Sequence, residues 1–223
     1  MDMDLKTVDH LLTTTRSVRR RLDLERPVDL DVVMECLEIA IQAPSGSNRQ
    51  GWRFMIVIDQ EKRQAIAEYY RKAFSVYIGQ SAATRRQPDA DDPRLSRAEK
   101  VRDSSIYLAD NMHRVPVLVI PCIKGRAERG PLVAQASQYG SILPAAWSFM
   151  LALRSRGLGS SWTTLHLFYE KEVSELLGIP EDVTQAALLP VAYYSGDDFR
   201  PARRIPASEL TYLDSWEAQS TTS

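Results

Sequence analysis

The spacing of apolar residues changes along the chain, and each change predicts a different element of secondary structure. Residues 29–42 repeat apolar side chains every three to four positions, as one face of a helix does, and Asp29 can cap the first turn. Further helices are predicted at residues 5–14, 61–74, 138–154 and 169–177. Short apolar runs rich in β-branched residues predict strands at residues 54–58, 115–123 and 186–194. The chain is therefore expected to alternate helices with strands.

Three segments depart from this pattern. The helix predicted at residues 138–154 is apolar nearly all round, so it needs cover from the sheet on one side and from another layer or a partner chain on the other. Residues 79–105 are polar and are interrupted by Pro88 and Pro93, which predicts an excursion or a mobile cover. Residues 199–223 form an open tail that is expected to lie on another surface. Because no internal repeat or domain boundary is visible, residues 1–223 are interpreted as a single domain.

Composition and charge narrow the classes of function. The 223 residues include 28 basic and 29 acidic side chains, a formal net charge of −1, so no bulk attraction to nucleic acid or to an anionic membrane is expected. The longest apolar run, residues 115–123, is too short to span a bilayer. The acidic first residues lack the apolar core of a secretion signal, so a cytoplasmic location is expected.

The cysteines and histidines do not suggest a metal or redox centre. Cys36 and Cys122 lie among apolar neighbours and are interpreted as small core residues rather than as a disulfide or redox pair. His10, His113 and His166 are far apart and do not show metal-ligand spacing. No metal is therefore expected.

Two polar segments are candidate binding sites. Residues 43–52 join a helix to a strand and carry small, hydroxyl and amide residues, which suit either a polar turn closed by Trp52 or a loop that grips a flat, hydrogen-bonding ligand. Arg16, Ser17 and Arg19 offer two guanidinium groups and a hydroxyl that can bind a phosphate monoester. The same run could be a solvated face, whereas nucleic-acid binding through Arg19 to Arg21 is disfavoured because no aromatic residues interleave it.

A dinucleotide-binding fingerprint is missing. Gly157 and Gly159 form a glycine pair, but Trp162 occupies the position where a third glycine would belong. No other stretch supplies such a fingerprint, so a dedicated dinucleotide-binding fold is not indicated.

Taken together, four motifs resemble the FMN-dependent nitroreductase family over residues 16–216. They are Arg16-Ser17-Val18-Arg19, Ala43-Pro44-Ser45 with Asn48, Gln50 and Trp52, Gly157-Leu158-Gly159 with Trp162-Thr163-Thr164, and Arg204-Ile205-Pro206. Two positions depart from the family pattern: Gly51 replaces a proline that often precedes the tryptophan, and Thr164-Leu165 replaces the Glu-Gly pair of some members. The second departure leaves the choice of substrate open.

The resemblance assigns cofactor contacts to twelve residues. At the FMN phosphate it places Arg16, Ser17 and Arg19 from one segment and Arg203 and Arg204 from another. Alongside the flavin it places Pro44, Ser45, Asn48, Leu143 and Pro144, and it brings the backbone of Thr164 and Leu165 close to flavin N5. No residue is assigned as a general acid or base.

The resemblance also implies a fold and a reaction. The expected fold is α+β, with a central mixed sheet flanked by helices in an intertwined homodimer. The expected enzyme binds FMN, uses NADH or NADPH as a transient co-substrate, and passes hydride through flavin N5 to a small-molecule acceptor such as a nitroaromatic or a quinone. Alternatives are another flavin reaction, namely dehalogenation, desaturation or flavin fragmentation, and a flavin-binding or sensing module without turnover.

Overall fold

A five-stranded sheet organises the protein, which is described by a computed structural model over residues 3–83 and 95–216. The strands run in the order β1-β2-β5-β3, and β4 pairs with β2 beside this path. Their bounds are β1 Trp52–Val57, β2 Val117–Lys124, β3 Leu158–Ser160, β4 Val183–Gln185 and β5 Leu189–Tyr193.

Six α-helices of the described chain cover this sheet. Their bounds are α1 Leu5–Thr14, α2 Leu30–Ala40, α3 Gln60–Ala83, α4 Leu95–Asn111, α5 Leu132–Ser155 and α6 Glu170–Leu177. Within the described ranges, none of them combines the length and apolarity needed to cross a bilayer. The predicted α+β class is confirmed.

Strand β2 separates two apolar layers because its successive side chains point to opposite faces of the sheet. Leu118, Ile120 and Cys122 are buried in the layer formed by α3, α4 and α6. Val117 and Val119 are buried in the layer formed by α2 and α5. Cys36 belongs to the second layer, and both cysteines are free and buried, as predicted.

The predicted strand at residues 186–194 forms only in part, as β5 at Leu189–Tyr193, and the separate strand β4 precedes it at Val183–Gln185. Strand β2 pairs with both, but the register shifts by one residue between the pair Cys122–Gln185 and the pair Val119–Leu189. Pro121 lies opposite this shift, and its lack of a backbone N–H prevents an unbroken ladder.

The named strands pair antiparallel throughout. The parallel component expected of a mixed sheet is limited, in the described residues, to the isolated bridge between Gly125 and Val183.

The helix predictions agree best where a cap or a glycine marks the end. Helix α1 has the predicted bounds, and Asp29 caps α2 by accepting the amide of Asp31 at 3.0 Å. Helix α3 continues nine residues beyond the predicted end at residue 74, and α4 occupies much of the predicted cover. Residues 84–94 of that cover and residues 217–223 of the tail lie outside the described residues.

The residues that lead into the tail are held against the N-terminal region and the end of α5. Arg21 donates to the carbonyl of Ser195 at 2.6 Å, and Arg154 forms an ion pair with Asp198. Beyond this point the tail has little regular structure apart from the 3-10 turn Ala207–Leu210. These contacts place the first tail residues beside the segment that carries Arg16 and Arg19.

Candidate flavin site

The Arg16–Arg19 motif lies beside β3 because the two backbones approach closely. The amide of Val18 donates to the carbonyl of Ser160 at 2.8 Å. Gly159 makes this approach possible, since a Cβ at that position would lie 3.0 Å from the Cβ of Val18. The arginine motif is thereby fixed next to the segment that leads to Thr164.

A cavity of about 540 Å³ opens where these segments meet α3 and α4. Its described lining residues are mainly aromatic and aliphatic, with two arginines and three serine or threonine residues; they are Arg19, Tyr70, Phe74, Tyr77, Ile78, Ala98, Val101, Arg102, Ser105, Trp162, Thr163, Thr164 and Leu165. The mixture of flat apolar walls with a few polar groups is typical of a cofactor or small-molecule site.

Arg19 is the inner cation of this cavity. It is partly buried, and desolvation lowers the pKa of its guanidinium. No described residue forms an ion pair or hydrogen bond with its side chain. A desolvated cation without a counter-charge favours an anionic or electron-rich ligand.

Tyr70 lies next to Arg19 and to the wall that contains Thr163. The Thr163 hydroxyl donates to the Tyr70 hydroxyl at 3.3 Å, while burial raises the pKa of the phenol. The phenol is therefore neutral at physiological pH and can still donate one hydrogen bond.

Thr164 and Leu165 begin a 3-10 turn, Leu165–Tyr169, at the cavity wall. Thr163 just before it is held by two backbone hydrogen bonds with Leu188, of 3.2 and 2.8 Å. The first amides of a helical turn have no carbonyl partner inside that turn. This wall can therefore present backbone N–H groups to a ligand.

His166 follows in the same turn and is fully buried. Neither ring nitrogen has a partner among the described residues, and burial lowers the pKa to about 3. The imidazole is therefore neutral at physiological pH. No group of three or more potential ligands in the described residues could hold a metal ion.

The loop that contains Pro44, Ser45 and Asn48 is built on a different part of the molecule. Ser47, Asn48 and Gln50 have left-handed backbone conformations, with φ values of 52°, 52° and 49°. Such conformations cost non-glycine residues on the order of 1 kcal/mol each and often mark functional sites. The Ser45 hydroxyl stabilises the loop by accepting the amide of Gln50 at 3.1 Å.

Helix α5 fixes this loop through Ser141. The Ser141 hydroxyl accepts the amide of Gly46 at 2.9 Å, and the Ser141 carbonyl accepts the indole N–H of Trp52 at 2.9 Å. Trp52 and Leu143 pack in the same small apolar cluster around Ile142. The loop and the middle of α5, including Pro144, therefore form one structural unit.

The structure divides the predicted contacts into two groups within one chain. Arg19, Thr164 and Leu165 line the cavity, and Arg16 and Ser17 belong to the segment that runs into it. Pro44, Ser45, Asn48, Leu143 and Pro144 form the second group and are not among the described lining residues of the cavity.

The tail arginines follow closely after Arg200, which contacts the first group. Arg16 donates to the carbonyl of Arg200 at 3.2 Å, so the tail starts at the arginine motif. Arg203 and Arg204 are exposed, and no described residue forms an ion pair or hydrogen bond with their side chains.

Sequence reasoning missed the walls that α3 and α4 contribute. Tyr70, Phe74 and Tyr77 recur at helical spacing, which is the signal that could have identified them. Arg102 on α4 was missed because a single arginine within a polar helix carries no pattern.

The cavity fits the flavin that the motifs imply. Its aromatic walls suit a planar ring system, and the unpaired guanidinium of Arg19 suits an electron-rich ring edge or a phosphate. A model of the nitroreductase family matches residues 12–193. The chain belongs to the nitroreductase family. This match covers the arginine motif, the loop and the Thr164 turn.

Nitroreductase relatives with different reactions resemble this chain. Iodotyrosine deiodinase of Thermotoga neapolitana is 27% identical over 199 residues, covering 89% of this chain and 93% of that protein. The 5,6-dimethylbenzimidazole synthase of Rhodospirillum rubrum is 26% identical over 222 residues, covering 95% and 90%.

A solved structure supports the same fold. The FMN and NADPH-dependent nitroreductase NfnB of Sphigopyxis sp. strain HMH superposes with a TM-score of 0.68 at 22% identity, covering 93% of this chain and 99% of that one. Flavin-dependent oxidoreductases are thus among the proteins that share this fold.

Proposed function

We propose that this nitroreductase-family protein is an FMN-dependent oxidoreductase that uses NADH or NADPH to reduce an electron-poor acceptor, such as a nitroaromatic or a quinone. The observation that carries this proposal is the unpaired, partly buried guanidinium of Arg19 in an aromatic cavity beside Thr164 and Leu165. Bound FMN would supply hydride transfer through flavin N5.

The residues of this chain would bind and orient the cofactor. Arg16, Ser17 and the tail arginines Arg203 and Arg204 would bind the phosphate, because guanidinium groups form the strongest hydrogen bonds to phosphate oxygens. Arg19, Thr164 and Leu165 would contact the ring, since they line the cavity itself. Trp162 and the helices α3 and α4 would exclude water from this region.

A homodimer would bring the second group of residues to the site. The loop with Pro44, Ser45 and Asn48 is largely exposed, and so are several large apolar side chains on α1, α2 and α5. Leu12, Met34, Ile39 and Trp147 are 49%, 47%, 44% and 39% exposed. Exposed apolar side chains next to a binding loop favour burial against a second copy of the chain.

Nicotinamide and acceptor would share one binding face in turn. The chain contains no dinucleotide fingerprint, so the nicotinamide and the acceptor would both have to enter the cavity beside Thr164. Double-reciprocal plots at several acceptor concentrations should therefore be parallel, and NADPH or NADH alone should bleach the flavin. A bulky residue at Thr164 should slow this bleaching more than it weakens FMN binding, because hydride transfer needs reacting atoms about 3–3.5 Å apart.

The absorbance spectrum of the purified protein tests the cofactor. We expect a yellow protein whose FMN is released by denaturation. Arg16→Ala and Arg204→Ala should each weaken FMN binding by about 1.5–3 kcal/mol, the usual range for a hydrogen bond to a charged group. Arg129→Ala is the control, since Arg129 is exposed and lies outside both groups. Unchanged FMN affinity in both test variants would reject the phosphate assignment.

A second candidate function is a different flavin reaction on the same site. The resemblance to iodotyrosine deiodinase and to 5,6-dimethylbenzimidazole synthase favours this candidate. Turnover of nitrofurazone compared with a halogenated phenol distinguishes reduction of nitro groups from dehalogenation. A flavin-binding module without turnover would retain FMN and fail to oxidise NADH or NADPH steadily with either acceptor.

A further inference from the structure

The cavity contains a second cation that the cofactor does not require. Arg102 lies on α4, whereas the residues proposed to bind FMN come from other segments. Along α3 the cavity wall continues from Tyr70 to Tyr77, about 10 Å at the rise of an α-helix. The cavity therefore extends well beyond the Thr164 segment, and this part is walled by α3 and α4.

The charge of Arg102 is not balanced locally. No described residue forms an ion pair or hydrogen bond with its side chain, although Glu99 and Asp103 are close in sequence on the same helix. None of the described lining residues is acidic. Among the described lining residues, the charged groups that an anionic ligand would meet are thus Arg19 and Arg102, both positive.

The remaining walls favour an aromatic ring. Phe74, Tyr77 and Val101 provide apolar surface beside Arg102, and Ser105 adds one hydroxyl a single helical turn away. Aromatic side chains stabilise a bound ring by offset stacking or edge-to-face contacts. An aromatic ring with an acidic substituent would pack against the apolar walls and pair with the guanidinium of Arg102.

We propose that the acceptor reduced at this site is a nitroaromatic carboxylate, whose ring lies against the α3 and α4 walls and whose carboxylate pairs with Arg102 without being reduced. The NADH or NADPH of the proposed function is oxidised, and its hydride together with one solvent proton converts the nitro group to a nitroso group and water. This inference rests on the proposed function for the redox reaction but concerns a residue that the cofactor does not use. Arg102 is a specificity residue, since a guanidinium can bind both oxygens of a carboxylate.

Binding of non-reacting ligands gives the first test. Benzoate and benzamide have nearly the same shape and differ in charge, so each is titrated into the flavin-loaded protein while the flavin spectrum and the melting temperature are followed. We expect benzoate to bind about tenfold more tightly, and the preference to fall as salt is added because Arg102 is exposed to solvent.

Substitutions in α4 test whether Arg102 causes the preference for benzoate over benzamide. Arg102→Gln should abolish the preference for benzoate, and Arg102→Lys should retain part of it. Lys100→Gln removes a positive charge from an exposed position of α4 outside the described cavity lining and should leave the preference unchanged. Equal affinity for benzoate and benzamide, or an unchanged preference in Arg102→Gln, would overturn the inference.

Turnover separates this inference from the proposed function. With 4-nitrobenzoate and 4-nitrobenzamide as acceptors, Arg102→Gln should raise KM for the acid about tenfold, with little change in kcat and none in flavin bleaching by NADPH. Failure of the wild-type flavin to bleach would reject the proposed function, while the melting-temperature titrations would still decide whether Arg102 selects the carboxylate. Reduction of both acceptors with equal KM would reject the carboxylate inference alone.

Discussion

Gly159 shows how a single residue positions the candidate site. Its missing side chain lets β3 approach Val18, whose amide binds the Ser160 carbonyl. The same contact sets the distance between the arginine motif and the Thr164 turn. A methyl group at residue 159 would therefore change the positions of both the arginine motif and the Thr164 turn.

Gly159→Ala should lower the free energy of unfolding by about 1–3 kcal/mol, since overpacking forces the backbone and Val18 apart. It should also weaken FMN binding, because Arg16 and Arg19 move with Val18. Gly79→Ala is the matched control: Gly79 lies inside α3 with open space around its Cα, so the change should stabilise by about 0.5–1 kcal/mol. Chemical denaturation and FMN titration measure both effects, and an unaltered affinity in Gly159→Ala would contradict the positioning role.

His166 links the site to acid stability. Its folded pKa of about 3 lies below the usual value of 6.5, because burial disfavours the imidazolium. Between these pH values the unfolded chain binds one more proton than the folded chain. The stability associated with this residue is thus complete above pH 6.5 and decreases as the pH falls towards 3.

We expect His166 alone to lower the free energy of unfolding by about 2 kcal/mol between pH 7 and pH 5. His166→Leu removes the titrating group, so its stability should change less over the same interval. Urea denaturation of both proteins at a series of pH values measures the difference. Parallel curves for the two proteins would show that the imidazole does not titrate as its burial requires.

At the scale of elements, α5 supports both the core and the loop. Its buried side chains Phe149 and Leu153 pack against the sheet, while Ser141 holds the loop that carries Ser45 and Asn48. Pro144 lies inside the helix and cannot donate to the carbonyl of Gly140. Helix α5 therefore lacks one helical hydrogen bond at Pro144, while Ser141 in its N-terminal half binds the loop.

Ser141→Ala should reduce the free energy of unfolding by about 1–3 kcal/mol, because the partly buried amide of Gly46 loses its acceptor. If the loop contacts the cofactor, FMN affinity should fall as well. Ser75→Ala provides the control, since the Ser75 hydroxyl donates only to its own helix, and this change should stay within about 0.5 kcal/mol. A loss of stability without any loss of FMN affinity would separate the loop from the cofactor site.

At the scale of the whole molecule, the two groups of predicted contacts lie on different parts of one chain. A groove of about 340 Å³ between α1, α2 and α5 is lined by Leu11, Ile39 and Leu151 among others, and it adjoins Ala43 at the start of the loop. A second chain seated here would cover the apolar surface that a monomer leaves exposed.

Ile39→Glu should therefore dissociate the proposed homodimer and release FMN, because a carboxylate in an apolar interface loses its hydration without gaining a partner. Light scattering after size exclusion gives the mass, and the absorbance spectrum gives the flavin content. Ile58→Glu is the matched control: Ile58 is 50% exposed and follows the end of β1 opposite to Trp52. A monomeric wild type that retains flavin would reject the dimer.

Several helices and strands, and the chemistry of the motifs, could be predicted from the sequence. Local spacing and capping residues are sufficient for α1 and for the core of α2, and the continuous apolar run predicts β2, because periodicity and caps are properties of neighbouring residues. The order of the arginine motif and the loop is also a property of the sequence. The resemblance that these motifs carry therefore identified the family, whose model matches residues 12–193.

Which of these residues lie together in space could not be predicted and is known only from the folded chain. The pairing of β2 with residues 183–191 joins distant parts of the chain, so β4 and the register shift opposite Pro121 were not predicted. Likewise, Arg102 and Tyr70 acquire a role only because α3 and α4 lie beside the Thr164 turn and enclose a cavity with Arg19. The physical reason is that desolvation and the absence of a counter-charge depend on contacts between segments far apart in the chain, which no local pattern records.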